Sequence, residues 1–181
     1  MVRVREVISG ADEDAAASEL LRSSGRALVS SVGGASGPLY GTFLLEAAEG
    51  LAAVAAAPAR EPIAALAPAF ARGVAGIGRR GRSTIGQKTM LDTLVPAAEA
   101  LRRGAAEPQA SGAAARSMVA AAVEGCESTR AMIAQRGRAS YLGERAIGHL
   151  DPGAVSALIV VEALAAALED QPAETGERLR R

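Results

Sequence analysis

The chain has few aromatic residues, one cysteine and no long apolar run, and each shortage narrows the class of protein. Aromatic residues make up 2% of the sequence. Strands favour aromatic and β-branched residues, whereas alanine, which is abundant here, favours helices. The lone Cys126 excludes an internal disulfide and fits a reducing compartment, with its thiol buried as a small apolar group. We therefore expect an all-α protein whose helices approach closely over small side chains.

Membrane and nucleic-acid signals are also missing. No apolar run reaches the roughly 20 residues that span a bilayer, and the first residues show no signal-peptide pattern. Twenty basic and twenty acidic residues cancel, whereas duplex-binding modules carry a basic excess. We expect a cytoplasmic protein that binds neither membrane nor nucleic acid. Its 181 residues suit one helical domain over residues 1–170, followed by a polar tail over 171–181.

Apolar residues at helical spacing divide the chain into six predicted helices. Pro38, Pro62 and Pro152 suit first turns, because a proline there loses no helical hydrogen bond. Pro96 lies inside one pattern and predicts a kink or a late start. The predicted helices cover about residues 14–31, 38–58, 62–81, 90–101, 113–135 and 152–168. Residues 104–112 form a linker, and residues 141–150 an ordered loop.

Three segments rich in glycine lie at helix junctions, where the backbone can turn and a ligand can approach closely. They are Ser30–Gly41, Gly81–Asp92 and Gly137–Ala154. A helix that follows such a loop directs free N–H groups and its positive dipole end toward an anion. In the first segment, Ser36 is placed to cap a helix or to bind a phosphate oxygen. The alternative for this segment is a plain turn between helices.

The other two segments carry candidate residues with equally plain alternatives. Lys88 and Thr89 resemble part of a phosphate-binding P-loop, but the glycine spacing and the preceding strand are missing. From the residues alone, we expect the Lys88 charge to be solvated and the Met90 side chain to lie in the core. The planar guanidinium group of Arg138 can bind a phosphate with two hydrogen bonds. The alternative is a surface ion pair between Arg138 and Glu144. We expect His149, the single histidine, to be a structural residue held by hydrogen bonds.

The common catalytic and metal-binding patterns are not found in the sequence. It shows no serine or cysteine nucleophile pattern with histidine and no zinc-ligand spacing. No cluster of carboxylates resembles a cation cage. From the residues alone, the protein is a helical domain with three glycine loops suited to an anion.

Taken together and in this order, the three segments resemble the ADP-binding L subunit of phosphotransferase-dependent dihydroxyacetone kinases. The resemblance rests on Ser30–Thr42, Lys88–Asp92 and Gly137–Ala154, and it extends to about Leu168. The resemblance implies a closed barrel of antiparallel amphipathic helices, eight in the family. It also implies that ADP stays bound as a coenzyme, is charged to ATP by a phosphohistidine carrier (the M subunit), and passes the phosphoryl group to dihydroxyacetone on a K subunit. Self-association as a homodimer is left open.

The resemblance also assigns site residues. Ala35 and Ser36 match the loop that wraps the phosphates, and Gly81 and Met90 match positions that contact the nucleotide, Met90 beside the base. Arg138 matches an arginine near the phosphates, and Asp151, Pro152 and Gly153 match the last contact loop. No catalytic residue is assigned within the chain.

Two departures from the family pattern stand out. Gln87 replaces an aspartate beside the nucleotide loop. The family's first helix and its aspartate-rich loop, which holds two Mg²⁺ ions, have no counterpart in this sequence, whose Met1 aligns just after that loop. The expectation is either a longer natural protein with an upstream start, or a truncated, inactive relative that acts by binding nucleotide or a partner. Family members that serve another phosphoryl acceptor are a third alternative.

Overall fold

The computed structural model describes residues 2–12, 15–54, 62–106 and 111–169. These residues form helices, turns and loops, with no β-strand among them, so the predicted all-α class is confirmed. The α-helices are α1 (Val2–Ser9), α2 (Ala17–Ser31), α3 (Ser36–Val54), α4 (Pro62–Gly81), α5 (Met90–Gly104), α6 (Ser111–Ser128) and α7 (Pro152–Glu169). Two 3₁₀ segments, Thr129–Ala131 and Arg138–Ala146, lie between α6 and α7. The predicted polar tail, residues 171–181, lies outside the described residues.

The chain divides into two compact units, Met1–Arg82 and Ser83–Arg181. The first contains α1 to α4, and the second contains α5 to α7 with both 3₁₀ segments. The single domain and the closed barrel expected from the sequence stay predictions.

In the first unit, α2, α3 and α4 pack closely against one another at glycine positions. A Cβ atom added to Gly41 would lie 2.8 Å from the carbonyl oxygen of Gly25, and one added to Gly50 would lie 2.7 Å from the Cα atom of Ala69. Backbones that approach so closely leave no room for a methyl group. The predicted packing over small side chains is therefore confirmed at these contacts.

In the second unit, α5 and α7 each run antiparallel to α6. A Cβ atom on Gly125 would lie 2.1 Å from the carbonyl oxygen of Asp92. Near the other end of α5, a Cβ atom on Gly104 would lie 2.3 Å from the Cβ atom of Ala114. The Thr93 hydroxyl donates to the carbonyl oxygen of Ala154, 3.2 Å away, which joins α5 to α7. This arrangement brings the first turns of α5 and α7 to the end of the unit where α6 stops.

Helix α7 contains the most apolar 18-residue stretch among the described residues. With 18 residues and a mean hydropathy of 1.6, it is long and apolar enough to cross a membrane, judged by length and composition alone. In the structure it packs against α5 and α6 and buries Ala154, Leu158 and Val161. It therefore supplies core residues of the second unit.

Several predicted boundaries need correction. Helix α1 was not predicted, and α3 begins at Ser36 rather than at Pro38. Helix α5 begins at Met90 and runs through Pro96, so the late start is wrong. Helix α6 ends at Ser128 instead of near 135, because the Thr129 hydroxyl donates to the carbonyl oxygen of Cys126 and accepts from the amide of Asp151. The ordered loop expected over residues 141–150 is 3₁₀ helix as far as Ala146.

Candidate functional site

The junction between α2 and α3 forms an exposed turn of backbone. Gly34 has a positive φ of 72°, and Cβ atoms added to Gly33 or Gly34 would meet no heavy atom within 4 Å. Ala35 accepts a hydrogen bond from the amide of Leu39, 3.1 Å away, and Ser36 is the first residue of α3. The turn therefore presents open space beside the positive end of a helix dipole, and the assignment of Ala35 and Ser36 to a phosphate loop stays a prediction.

Gly81, the last residue of α4, lies toward the same end of the first unit as Ser36. Cβ atoms on Gly76 and Gly50 would contact Thr42 and Ala69, respectively, so α3 and α4 are antiparallel. The C-terminal turn of α4 therefore lies beside the N-terminal part of α3. Three of the predicted site residues, Ala35, Ser36 and Gly81, thus belong to one end of this unit.

Two helix N-termini meet in the second unit. A Cβ atom on Gly153, in the first turn of α7, would lie 3.5 Å from the amide nitrogen of Met90, which begins α5. It would also lie 2.8 Å from Oδ2 of Asp151. Because two positive dipole ends converge at this point, a nearby anion is favoured. The predicted residues Met90, Asp151, Pro152 and Gly153 are therefore brought together.

Each of these two helix starts has its own carboxylate cap. Oδ2 of Asp92 accepts from the amide of Thr89 at 2.7 Å, and its Oδ1 accepts from the amide of Gly86. Oδ2 of Asp151 accepts from the amide of Ala154 at 2.8 Å, as the predicted N-cap requires. Burial raises the pKa of Asp151, while the amides of Ala154 and Gly153 and the charge of Lys88 oppose the rise.

Lys88 is buried, so the prediction of a solvated charge is wrong. Its side chain is 2% exposed, and its φ of 58° lies in the left-handed region. The Nζ atom donates to three carbonyl oxygens, those of Thr129 at 2.7 Å, Ala146 at 2.8 Å and His149 at 2.6 Å. Burial lowers the pKa of Lys88, and the nearby charge of Asp151 opposes that effect. The three donors of a lysine ammonium are thus all used.

A signal for this role was present in the sequence and was missed. Of the twenty basic residues in the chain, Lys88 is the only lysine, and the other nineteen are arginines. A compact ammonium directs three donors at converging acceptors, whereas a planar guanidinium does not. The single lysine therefore lies where an ammonium group matches three carbonyl acceptors.

Arg138 and His149 lie on the exposed part of the same end. Arg138 follows Gly137, whose φ is 68°, and begins the second 3₁₀ segment. Among the described residues no ion pair joins Arg138 to Glu144, so that alternative is wrong. The His149 side chain is exposed, and it is the backbone carbonyl that holds this residue in place through Lys88. The guanidinium of Arg138 is therefore free of a carboxylate partner within the described part of the chain.

The predicted site residues thus fall into two sets. Ala35, Ser36 and Gly81 belong to the first unit, and Met90, Arg138 and Asp151–Gly153 belong to the second. Each set combines glycine backbone with at least one helix N-terminus, and the second adds an exposed arginine. Such groups bind anions and can orient a phosphate chain.

Comparison with known proteins places this geometry in a family. The DAK2 domain matches residues 1–166. The ADP-binding subunit DhaL of the PEP-dependent dihydroxyacetone kinase of Escherichia coli K12 is 41% identical over 151 residues, which cover 83% of this chain and 70% of that protein. The ADP-binding subunit DhaL of kinase 1 of Listeria innocua is 38% identical, with 84% of this chain and 69% of that protein covered.

More distant relatives are much longer than this chain. The human triokinase/FMN cyclase is 33% identical over 170 residues, which cover 92% of this chain and 28% of that protein. The L-erythrulose 1-kinase of Mycolicibacterium smegmatis is 36% identical, with 84% of this chain and 26% of that protein covered. The chain therefore matches about two thirds of the bacterial subunits and about a quarter of these longer kinases.

Proposed function

Because the chain belongs to the DAK2 domain family, we propose that it is the ADP-binding subunit of a dihydroxyacetone kinase that depends on the phosphotransferase system. In this role it holds ADP as a bound coenzyme. A phosphohistidine on a carrier subunit passes its phosphoryl group to the β-phosphate of ADP. The resulting ATP then passes its γ-phosphoryl group to a hydroxyl of dihydroxyacetone on a K subunit, which restores ADP.

The observation that carries the proposal is the meeting of two helix N-termini at Met90 and Gly153. The positive dipole ends of both helices favour the charge of a phosphate chain beside their caps Asp92 and Asp151. We assign Met90 to the base from its resemblance to the family. Arg138, free of a carboxylate partner in the described part of the chain, supplies a planar fork for a phosphate oxygen. We also propose Ala35, Ser36 and Gly81 of the first unit as nucleotide contacts, because their segments resemble those of the family. Positioning and charge stabilisation are most of what phosphoryl transfer requires from a protein.

Mg²⁺ does not fit the described residues. Within residues 2–12, 15–54, 62–106 and 111–169 no group of three His, Cys, Asp or Glu side chains could hold a metal ion. Asp92 and Asp151, the carboxylates nearest the helix starts, are engaged by backbone amides.

The acceptor and the phosphoryl donor are proposed from the family. The names of the bacterial relatives specify dependence on PEP or on the phosphotransferase system, which supports a carrier subunit as donor. The names of the longer relatives specify other acceptors, such as L-erythrulose. We propose dihydroxyacetone because the bacterial subunits are the more similar group, and we propose the cytoplasm as the compartment in which those subunits meet.

Calorimetric titration of the 181-residue chain with ADP tests the proposal. We expect one site per chain, and competition by ATP but not by adenosine, because the phosphate chain supplies the charge that the helix N-termini favour. Parallel titrations with Mg²⁺ and with EDTA measure how far the metal contributes. Absence of ADP binding under both conditions would contradict the proposed function.

Transfer is tested separately from binding. The chain is mixed with a K subunit and a phosphorylated carrier subunit of a bacterial relative, and dihydroxyacetone phosphate is measured. Binding of ADP without transfer would support the alternative of a nucleotide-binding module that is not catalytically active. Transfer would establish the kinase role.

A further inference from the structure

The buried ammonium of Lys88 joins parts of the chain that the proposed site brings together. Its three acceptors come from the start of the first 3₁₀ segment, the end of the second 3₁₀ segment and the loop before α7. They lie 41, 58 and 61 residues from Lys88 along the chain. Lys88 itself immediately precedes Thr89, the N-cap of α5.

Each acceptor segment leads to a predicted contact residue. The 3₁₀ segment that ends at Ala146 begins at Arg138 and is kinked at Gly143, whose φ is 55° and ψ is −130°. His149 lies two residues before the cap Asp151. The carbonyl oxygen of Thr129 is bound by Lys88 while its hydroxyl accepts from the amide of Asp151 at 3.0 Å. One cation therefore connects the arginine segment and the start of α7 to the start of α5.

We infer that Lys88 is a positioning residue for the nucleotide: its ammonium group, bonded to the carbonyl oxygens of Thr129, Ala146 and His149, holds Arg138 and the Asp151–Gly153 turn against the start of α5. This inference rests on the proposed function. The 2% exposure of the side chain leaves no room for Lys88 to touch a phosphate itself. It acts through the backbone that it holds.

The composition of the chain supports a requirement for lysine at this position. Nineteen basic positions carry arginine and this one does not. A guanidinium is larger and planar, so it cannot direct three donors at these three oxygens from the same buried volume. Substitution by methionine keeps the length of the side chain, removes the charge and leaves the three carbonyl oxygens without their donor.

The test compares the wild type with Lys88→Met and Lys88→Arg. We expect both variants to stay helical by circular dichroism and to bind ADP about tenfold or more weakly, a loss that calorimetry resolves. Hydrogen exchange should become faster in residues 138–150, which the ammonium holds, and remain unchanged in the middle of α6. A Lys88→Arg variant that binds ADP like the wild type would overturn the inference, because charge alone would then suffice.

A second variant separates positioning from general stability. Val161 is fully buried in α7, away from the acceptors, so Val161→Ala should lower the melting temperature without changing ADP affinity. If Val161→Ala weakens ADP binding as much as Lys88→Met does, the effect of Lys88 is merely structural and the inference falls.

The single lysine also gives a direct readout. In protein labelled with ¹⁵N-lysine, one Nζ resonance reports this site, and we expect ADP to shift it and to slow exchange of its protons. If the wild type fails to bind ADP, the proposed function falls. Hydrogen exchange of residues 138–150 in Lys88→Met then still decides whether Lys88 holds the segment. If ADP binds and neither Lys88 substitution changes its affinity, the proposed function stands and the positioning role is overturned.

Discussion

The Nζ atom of Lys88 lies 2.6 Å from the carbonyl oxygen of His149, 61 residues further along the chain. The same atom binds the carbonyl oxygens of Thr129 and Ala146, so the loop before α7 and both 3₁₀ segments share one ammonium group. The three segments at this end of the second unit are therefore held together by one buried side chain.

Arg138→Ala should weaken ADP binding by about tenfold while leaving the melting temperature unchanged, because a charge-assisted contact to phosphate is lost from an exposed side chain. Arg145→Ala is the matched control, since Arg145 is an exposed arginine of the same 3₁₀ segment. Calorimetry and thermal unfolding measure the two effects. Equal ADP affinities for the wild type and Arg138→Ala would remove Arg138 from the site.

Gly33→Ala and Gly34→Ala should differ in stability although the residues are neighbours. Both positions face open space, but only Gly34 has a positive φ, which costs an L-residue about 1 kcal/mol. Urea denaturation should therefore detect a loss in Gly34→Ala and none in Gly33→Ala. If ADP approaches this turn, Gly33→Ala should still weaken ADP binding, because its methyl group occupies the open space. Unchanged affinity in Gly33→Ala would place the phosphates elsewhere.

Gly125→Ala should destabilise the protein by about 2 kcal/mol or more, since overpacking at a backbone contact forces α5 and α6 apart. The added Cβ atom would lie 2.1 Å from the carbonyl oxygen of Asp92. Gly112→Ala in the same helix is the control, because its Cβ atom would meet only the flexible side chains of Arg116 and Glu169 beyond 3.4 Å. Chemical denaturation of the pair measures the difference. Equal stabilities would argue against the close crossing.

Asp151→Asn should become more stable relative to the wild type as pH rises. Burial raises the folded-state pKa of Asp151 above its ordinary value of 3.8, so between these two values the folded state binds more protons than the unfolded state. Stability of the wild type therefore falls as pH rises through this window, and the asparagine variant lacks this dependence. The side-chain oxygen of asparagine preserves the cap.

To test this prediction, the denaturation of both proteins is measured from pH 3 to pH 7, the range in which carboxylates titrate. Lys88 and Asp92 face Asp151, and their charges act in opposite directions on its pKa. Other carboxylates titrate in both proteins and cancel in the difference. A difference in stability that is constant with pH would show that Asp151 keeps an ordinary pKa.

Sequence patterns that extend over a few residues predicted the start of α7, which belongs to the candidate site. Asp151 and Pro152 were recognised as a helix start because an N-cap and a first-turn proline act over a few residues. The structure brings Gly153 close to Met90, and the role of these residues in binding a nucleotide stays a prediction. Helical periodicity also located five of the six predicted helices to within a few residues.

Long-range contacts explain what the sequence did not reveal. Lys88 is buried because three carbonyl oxygens from distant segments surround it, and no local pattern reports such partners. Helix α6 ends early because the Thr129 hydroxyl binds the amide of Asp151, 22 residues away. Both errors concern backbone groups bonded by side chains from elsewhere in the chain. The unusual composition, one lysine among nineteen arginines, was the only local trace of either.

The burial of the only lysine also determines how the chain reacts with acylating reagents. Free amines attack activated esters, and the sequence has two kinds, the α-amino group and the Lys88 amine, which is 2% exposed and bonded to three carbonyl oxygens. A fluorophore ester added to the native protein should therefore attach at the N-terminus alone. A second label per chain would then count molecules in which the end of the second unit has opened.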